Sequence, residues 1–157
     1  MNLNDNPRGG TMCLTKAGLA IGDGAKTGPC IASPVGAGVD FAIDGYVYHK
    51  ADSTTVLPLT AATVQPVSTT CLYLICVDAD LAVTSVQGTP VSTSALSAGD
   101  VALKFPEPTA NTCPIGAVKI VTDSTHTFTP GTTALDAAGI TETYYDLCLC
   151  PTTPITA

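Results

Sequence analysis

The sequence predicts an all-β fold, a single antiparallel β-sandwich or barrel-like domain, and three observations support this prediction. Residues 72–77 form an uninterrupted apolar run, short for a buried helix and far below the ~20 residues that cross a bilayer, so we expect a strand with both faces covered. Residues 78–80 then make a polar turn, and residues 81–86 alternate apolar with small or polar side chains, which completes a β-hairpin. Further strand-like runs recur roughly every ten positions with glycine and proline between them, as in sandwiches and barrels.

The beginning of the chain has a different composition, and we divide the sequence into an extended N-terminal arm, residues 1–40, and a β-sandwich domain, residues 41–157. Glycine is frequent in the arm, and Pro7, Pro29 and Pro34 interrupt any long helix. The arm also carries more apolar and fewer charged residues than a disordered tail usually does. We therefore expect it to be ordered by lying against another surface.

The sandwich domain is predicted to contain further elements bounded by turn residues. Gly45 allows a bend within the first strand, the two prolines of residues 106–108 cannot donate backbone hydrogen bonds, and Gly139 can close one helical turn. The predicted strands are residues 41–49, 101–105, 115–121, 127–129 and 143–150, the predicted helical turn is residues 135–139, and a turn is predicted at residues 97–100.

The low content of charged residues limits the possible partners. Charged residues are 12% of the chain, the net charge is -7, and the six Lys and Arg residues form no cluster, so nucleic-acid binding is not expected. The chain starts without the apolar segment of a signal peptide, so we expect synthesis in the cytoplasm and no association with a membrane. A surface with little charge suits a protein that buries area in an assembly.

Seven cysteines are an odd number, so at least one thiol is free or pairs between chains. Cys71 and Cys76 are five positions apart and would face opposite sides of one strand. Cys148 and Cys150 would share a face at a separation of about 6.7 Å, near the upper limit for a disulfide. Two interpretations stay open: buried cysteines that act as small apolar side chains, or disulfides that form after release from the cell.

Two loops resemble ligand-binding loops only in part. Residues 22–27 (GDGAKT) end in a Lys-Thr pair, but a phosphate loop requires glycine where Ala25 stands. Asp78 and Asp80 are spaced as in a calcium loop, yet an EF-hand would require Glu where the chain has Thr89. We interpret both aspartates as turn residues and predict no cofactor.

Few residues are available for catalysis or metal binding. His49 and His126 are the only histidines, and Cys148 with Cys150 is one ligand pair short of a structural zinc site. The chain has no G-x-S-x-G elbow to expose a nucleophilic serine, and its two glutamates form no obvious acid–base pair. We predict no catalytic, cofactor or metal site and no enzymatic activity.

Three stretches, taken together and in this order, resemble one group of viral structural proteins. They are residues 41–50 (FAIDGYVYHK) continuing into residues 57–71, residues 105–121 (FPEPTANTCPIGAVKIV), and residues 128–145 (FTPGTTALDAAGITETYY). Their order and spacing resemble the head decoration (cement) proteins of tailed bacteriophages and related virion modules, over residues 41–147. Residues 14–21 are similar to the arm that often precedes that module. The cysteine content departs from the family.

The resemblance implies a structural role without catalytic residues. A decoration protein lies on the outer surface of the capsid, is made in the host cytoplasm, and bridges subunits of the major capsid protein, often as a homotrimer. The alternative is a tail-fibre or baseplate module that attaches the phage to its host.

Overall fold

The computed structural model describes residues 10–60 and 63–148, and these residues form a nearly all-β fold with 39% strand and 4% helix. The all-β prediction is therefore confirmed. The elements in chain order are β1 (Met12–Cys13), β2 (Leu19–Ile21), β3 (Pro29–Ile31), β4 (Val39–Ile43), β5 (Tyr46–Lys50), β6 (Thr69–Val77), β7 (Val83–Gln87), β8 (Val91–Ser92), α1 (Thr93–Ala98), β9 (Cys113–Thr122) and β10 (Ile140–Asp146).

The strands form three antiparallel sheets arranged like a sandwich. The largest sheet has the order β10-β9-β6-β7, with β8 paired to the start of β6, and the two smaller sheets have the orders β1-β4-β5 and β2-β3. Strands β1 and β4 contact β9, while β2 contacts β10, so the smaller sheets cover one face of the large sheet. Of the two predicted arrangements the sandwich-like one fits, because the sheets end in edge strands.

The hairpin at the centre of the large sheet agrees with the prediction. Strand β6 lies between β9 and β7, and every residue from Thr70 to Val77 is buried. The turn into β7 is closed by the Asp78 amide, which donates to the carbonyl of Ala82 at 3.1 Å, and Leu81 has a φ of 64°. A strand that is covered on both faces needs apolar side chains at successive positions, which explains the uninterrupted apolar run.

The two faces of β6 belong to two apolar clusters. Cys71, Tyr73 and Ile75 face the main core between the sheets, whereas Leu74 and Cys76 belong to a smaller cluster on the opposite face. The smaller cluster is covered in part by side chains from the loop before β9 and from the end of β10. Cys71 and Cys76 therefore lie on opposite faces, as their spacing predicted.

Residues 10–40, which were predicted as an arm lying on another surface, lie against residues 41–148 of the same chain. Cys13, Leu19 and Ile31 are buried in the main core. Two contacts attach this segment to β10: the Gly18 amide donates to Asp146 Oδ1 at 2.7 Å, and Lys16 Nζ lies 3.4 Å from Asp146 Oδ2. This part of the chain therefore supplies β1, β2, β3 and the start of β4, which belong to the layer that covers the large sheet.

The single strand predicted at residues 41–49 is wrong, because the structure forms a β-hairpin there. Strands β4 and β5 pair antiparallel, with Ile43 opposite Tyr46. The two turn residues, Asp44 and Gly45, have φ values of 51° and 84°. Both positive φ values fit a type I′ turn, which favours Asp-Gly and matches the twist of the two strands.

The strand predicted at residues 101–105 is also wrong. This segment has no regular structure and follows α1, which the sequence analysis had predicted only as a turn at residues 97–100. Helix α1 ends at Gly99, which adopts a φ of 81° and stops the helix in the left-handed conformation. Leu103 packs on the smaller apolar cluster while Val101 and Phe105 stay exposed, so the segment covers a sheet face without joining a sheet.

Three predictions near the end of the chain are corrected in detail. Residues 127–129 make a single bridge between Phe128 and Gln65 instead of a strand. Residues 135–139 form turns instead of a helical turn. The last strand, predicted at residues 143–150, is β10 and starts three residues earlier at Ile140, because the register with β9 pairs Ile140 with Thr122. Residues 149–150 of that prediction lie outside the described residues.

Candidate interaction surface

Large apolar side chains stand exposed at several loops and at one strand. The exposed fractions are 83% for Val35, 72% for Tyr46, 69% for Val47 and 52% for Phe105. Single exposed apolar residues are common on protein surfaces, whereas a contiguous group of them indicates a surface that contacts another molecule. Tyr46 and Val47 are successive residues of β5, so their side chains point to opposite faces of the sheet and each face of β5 exposes one of them.

The packing of the β4–β5 hairpin leaves one edge of β5 accessible. Tyr48 stacks on the buried ring of Phe41 with ring centroids 5.7 Å apart and an interplanar angle of 21°. That contact holds the middle of β5 on β4 and orients the hairpin. Strand β5 is the last strand of its sheet, so its outer edge has no neighbouring strand among the described residues.

Shallow hollows interrupt the surface elsewhere. One, about 560 Å³, lies between β7 and the segment after α1 and is lined in part by the exposed ring of Phe105 and by Lys104. A second, about 500 Å³, lies beside the turn that carries Val35. A third, about 380 Å³, lies beside the start of α1 and is lined mainly by hydroxyl groups. Their open, weakly charged walls suit contact with a surface better than enclosure of a small ligand.

Each histidine pairs with an aspartate on the surface. His49 Nδ1 lies 2.8 Å from Asp40 Oδ1 across the β4–β5 pair, and His126 Nδ1 lies 2.8 Å from Asp123 Oδ2. The backbone amides of Thr125 and His126 also donate to Asp123 Oδ1, at 2.8 and 2.7 Å. The Thr125 amide and then the His126 ring hold the pKa of Asp123 well below its usual value. Asp123 therefore closes a turn as an ionised acceptor.

The two loops that resemble ligand sites have structural roles. Residues 22–27 connect β2 to β3, and Lys26 Nζ contacts Asp136 Oδ2 at 2.7 Å. This ion pair raises the pKa of Lys26 and lowers that of Asp136. In the other loop, Asp78 Oδ1 accepts hydrogen bonds from the amides of Asp80 and Ala82 at 2.9 and 2.8 Å. The turn interpretation of Asp78 is confirmed.

Five cysteines are buried free thiols, which agrees with the first of the two interpretations: Cys13, Cys30, Cys71, Cys76 and Cys113. Burial raises the pKa of Cys13 and of Cys113 to about 12 and that of Cys71 to about 11. These thiols stay protonated at neutral pH, and a protonated thiol is a poor nucleophile and a poor metal ligand. Cys148 is half-buried and packs against the main core, and Cys150 lies outside the described residues.

Two further findings apply to residues 10–60 and 63–148. No group of three or more His, Cys, Asp or Glu side chains in this part of the chain is placed to hold a metal ion. No helix there has both the length and the apolar content needed to cross a membrane. The described ionisable side chains thus mainly stabilise turns and join neighbouring segments.

The β4–β5 hairpin was missed in the sequence analysis, although a signal for it exists. An Asp-Gly pair between strand-like segments is a strong indicator of a two-residue hairpin, and Asp44-Gly45 lies in the middle of residues 41–49. Dividing that segment at Asp44 would have placed Tyr46 and Val47 on a second strand, although not at the edge of a sheet. Phe105 was missed because its segment resembles a strand in composition.

No family model, curated protein or solved structure matches this chain. Functional inference therefore depends on the chain's own residues and on the resemblance carried by its three stretches.

Proposed function

We propose that the protein is a structural virion protein that decorates and stabilises a bacteriophage capsid by bridging subunits of the major capsid protein. The observation that carries this proposal is the ordered set of three stretches that resemble head decoration proteins. The weakly charged surface supports this proposal. Four apolar side chains on it are exposed, and covering them with a neighbouring protein lowers the free energy of the system: Val35, Tyr46, Val47 and Phe105.

The proposed mechanism is thermodynamic linkage. A protein that binds the assembled shell and has no affinity for separated capsid subunits stabilises the shell by the free energy of that binding. A bridging protein contacts two subunits at once, so breaking the shell requires breaking its contacts as well. A homotrimer, the assembly that the resemblance implies, would bring three copies of the contact surface together and strengthen binding through multivalency.

The acidic surface agrees with a position on the outside of the capsid. With a net charge of -7, the chain has no general attraction for packaged DNA. The partners we propose are accordingly the major capsid protein and further copies of this chain, with no nucleic acid and no membrane.

The experiment compares particles from a phage that encodes the protein with particles from which its gene has been deleted. We expect the deleted particles to release DNA at a lower temperature in a fluorescent-dye melting assay, and purified protein to restore the original temperature. Equal melting temperatures for both particles would contradict the stabilising role.

The alternative, a tail-fibre or baseplate module for host attachment, is favoured by one observation. The open hollow beside Phe105, with Lys104 at its edge, exposes an aromatic ring that a receptor surface could cover. Immunogold labelling of intact particles separates the two proposals, since decoration places the label over the head and the alternative confines it to the tail. A Phe105→Ala variant that adsorbs normally to host cells would further contradict the alternative.

A further inference from the structure

We propose that Asp44 and Gly45, the two turn residues of the β4–β5 hairpin, form a site of spontaneous isoaspartate formation in the folded protein, and that this modification separates the turn ends of β4 and β5. The modification concerns the backbone of this chain and does not depend on the capsid proposal. Three features of the molecule support it: the accessibility of the reacting atoms, the shortness of the turn, and the contrast with the second Asp-Gly pair of the chain, Asp23-Gly24.

The reaction joins the side chain of an aspartate to the backbone of the next residue. The Gly45 nitrogen bonds to Asp44 Cγ, and the amide proton leaves with a carboxyl hydroxyl as water, so that a five-membered succinimide ring forms. Water then adds to the ring and breaks one of the two bonds between a ring carbonyl and the nitrogen. Breaking the bond to Cγ restores aspartate, whereas breaking the bond to the former backbone carbonyl gives isoaspartate. The water released in the first step is regained in the second, so no other reactant is needed.

The reacting atoms of the turn are accessible. Asp44 and Gly45 are both exposed, and a Cβ atom at Gly45 would meet nothing within 4 Å. Among the described residues, no group donates a hydrogen bond to the Asp44 carboxylate and no group accepts one from the Gly45 amide. An amide whose proton is not held by an acceptor loses it more readily, and glycine places no side chain in the path of the attack.

The segment beside the turn holds the aspartate in place without covering these atoms. The Asp44 amide donates to Thr11 Oγ1 at 3.1 Å, which engages the backbone of the aspartate and not its carboxyl group. At Gly10, a Cβ atom would lie 3.1 Å from the Gly45 nitrogen and 3.2 Å from Gly45 Cα. Because position 10 is glycine, this side of the nitrogen is not covered by a side chain.

A two-residue turn cannot absorb a longer backbone. Isoaspartate carries the main chain through Cβ and Cγ, which adds one atom between the two turn residues. Ile43 and Tyr46 flank the turn directly, and the hydrogen bonds between such flanking residues depend on the type I′ geometry. We therefore expect this pair to separate first. Farther from the turn, the stacking of Tyr48 on Phe41 should keep the rest of the hairpin paired.

The second Asp-Gly pair provides an internal comparison. Asp23 and Gly24 are also exposed, but they lie in the longer loop of residues 22–28 between β2 and β3. The backbone hydrogen bond that closes this loop runs from the Gly22 amide to the Gly28 carbonyl at 3.1 Å and involves neither residue of the pair. One added atom can be accommodated by the remaining loop residues. Isoaspartate at position 23 should therefore leave the β2–β3 pairing unchanged.

The test is an ageing experiment on the full chain in neutral buffer at physiological temperature. Peptides of the aged protein are separated by liquid chromatography, and isoaspartate is identified by electron-transfer dissociation mass spectrometry. We expect isoaspartate at position 44. Aspartate and isoaspartate forms of a peptide elute separately, so hydrogen exchange of both forms can be compared in one sample. The isoaspartate form should show a loss of exchange protection at the Tyr46 amide.

Two asparagine variants provide matched controls. Asp44→Asn keeps a turn sequence that favours the type I′ geometry and forms the same ring with release of ammonia, so isoaspartate should form faster and the same protection should be lost. Asp23→Asn should also form isoaspartate faster, with unchanged protection of the Gly22 amide. Thermal melts followed by circular dichroism of fresh samples establish that both variants fold.

The same chain aged in urea gives the reaction time of both pairs without the folded structure. Absence of isoaspartate at position 44 in the folded chain, at a time when the chain in urea contains it, would contradict the proposed site. Unchanged exchange at the Tyr46 amide of the isoaspartate form would contradict the proposed separation of the strands. An equal loss of protection at the Gly22 amide after reaction at position 23 would contradict the role of the short turn.

Discussion

The two hairpins β6–β7 and β4–β5 both pair antiparallel strands but have very different surroundings. Both turn through residues with positive φ, at Leu81 in one and at Asp44 and Gly45 in the other. Strand β6 is buried on both faces, whereas two of the five residues of β5 are among the most exposed apolar side chains of the described chain. Strand pairing is common to both, so burial decides which hairpin supports the fold and which one is available for contacts.

The difference extends to polar side chains. In the central hairpin, Tyr73 donates its hydroxyl to Gln65 Oε1 at 3.1 Å, and Gln65 Nε2 donates to the carbonyls of Thr69 and Ile120, both at 3.1 Å. Gln65 is fully buried, so each of these bonds replaces a bond to water that folding removes. In the exposed hairpin, the His49–Asp40 pair stays in contact with solvent and contributes little.

The largest expected effect is removal of residues 1–40, because residues 10–40 contribute to the main core beside the central hairpin. The deletion takes Cys13, Leu19, Ile31 and Val39 out of the main core. Each buried aliphatic side chain contributes about 1.5–3 kcal/mol, and the sum is comparable with the total of about 5–15 kcal/mol that stabilises a domain of this size. We expect residues 41–157 alone to show no cooperative thermal transition by circular dichroism.

The matched control for this deletion starts at Gly10 and keeps every contact described in the structure. It should melt cooperatively, close to the temperature of the full chain. A cooperative transition of residues 41–157 at that same temperature would show that the first 40 residues are an arm, as the sequence alone suggested, and that the central hairpin needs no cover from them.

A smaller effect is expected when one hydroxyl is removed from each hairpin. Tyr73→Phe leaves the buried Gln65 Oε1 without its donor and should lower the free energy of unfolding by about 1–3 kcal/mol. Tyr46→Phe removes a hydroxyl from an exposed ring and should change the free energy of unfolding by less than about 0.5 kcal/mol. Urea denaturation of both variants measures the difference, and equal effects would contradict the contrast between the hairpins.

The smallest expected effect is the dependence of stability on pH through Asp123, which lies outside both hairpins. Its folded-state pKa is lowered, so the ionised form stabilises the native state above the unfolded pKa of about 3.9, and this contribution is lost as the pH falls below that value. We expect the melting temperature to fall on acidification and Asp123→Asn to reduce that fall. Asp100→Asn is the control, since no described residue donates a hydrogen bond to the Asp100 carboxylate. An equal reduction of the acid-induced fall in both variants would contradict the role of Asp123.

The central part of the fold was predictable because it depends on local patterns. Residues 72–77 are uniformly apolar, and residues 78–80 are turn-forming, so a buried strand and its hairpin follow from the order of residues. The segment at residues 115–121 was predicted for the same reason and lies within β9. The segment at residues 101–105 has a similar composition but crosses the face of a sheet already completed by β7, so tertiary packing overrode its strand propensity.

The candidate interaction surface was less predictable, because exposure belongs to the folded molecule. Tyr46 and Val47 resemble buried strand residues in sequence, and only the end position of β5 in its sheet leaves them accessible. The cysteines are buried where Tyr46 and Val47 are exposed. The sequence left open whether the cysteines form disulfides or pack as small apolar side chains, and burial of Cys13, Cys71 and Cys113 in the core favours packing.

The sequence by itself determined the fold class, the central hairpin and the opposite orientation of Cys71 and Cys76, because alternation along a strand and turn chemistry are properties of neighbouring residues. The tertiary structure alone decided that residues 10–40 complete the core and that the outer edge of β5 has no neighbouring strand in the described part of the chain. Both results depend on which segments meet across long sequence separations, as Gly18 meets Asp146. Such contacts depend on the packing of whole layers, and no local pattern encodes them.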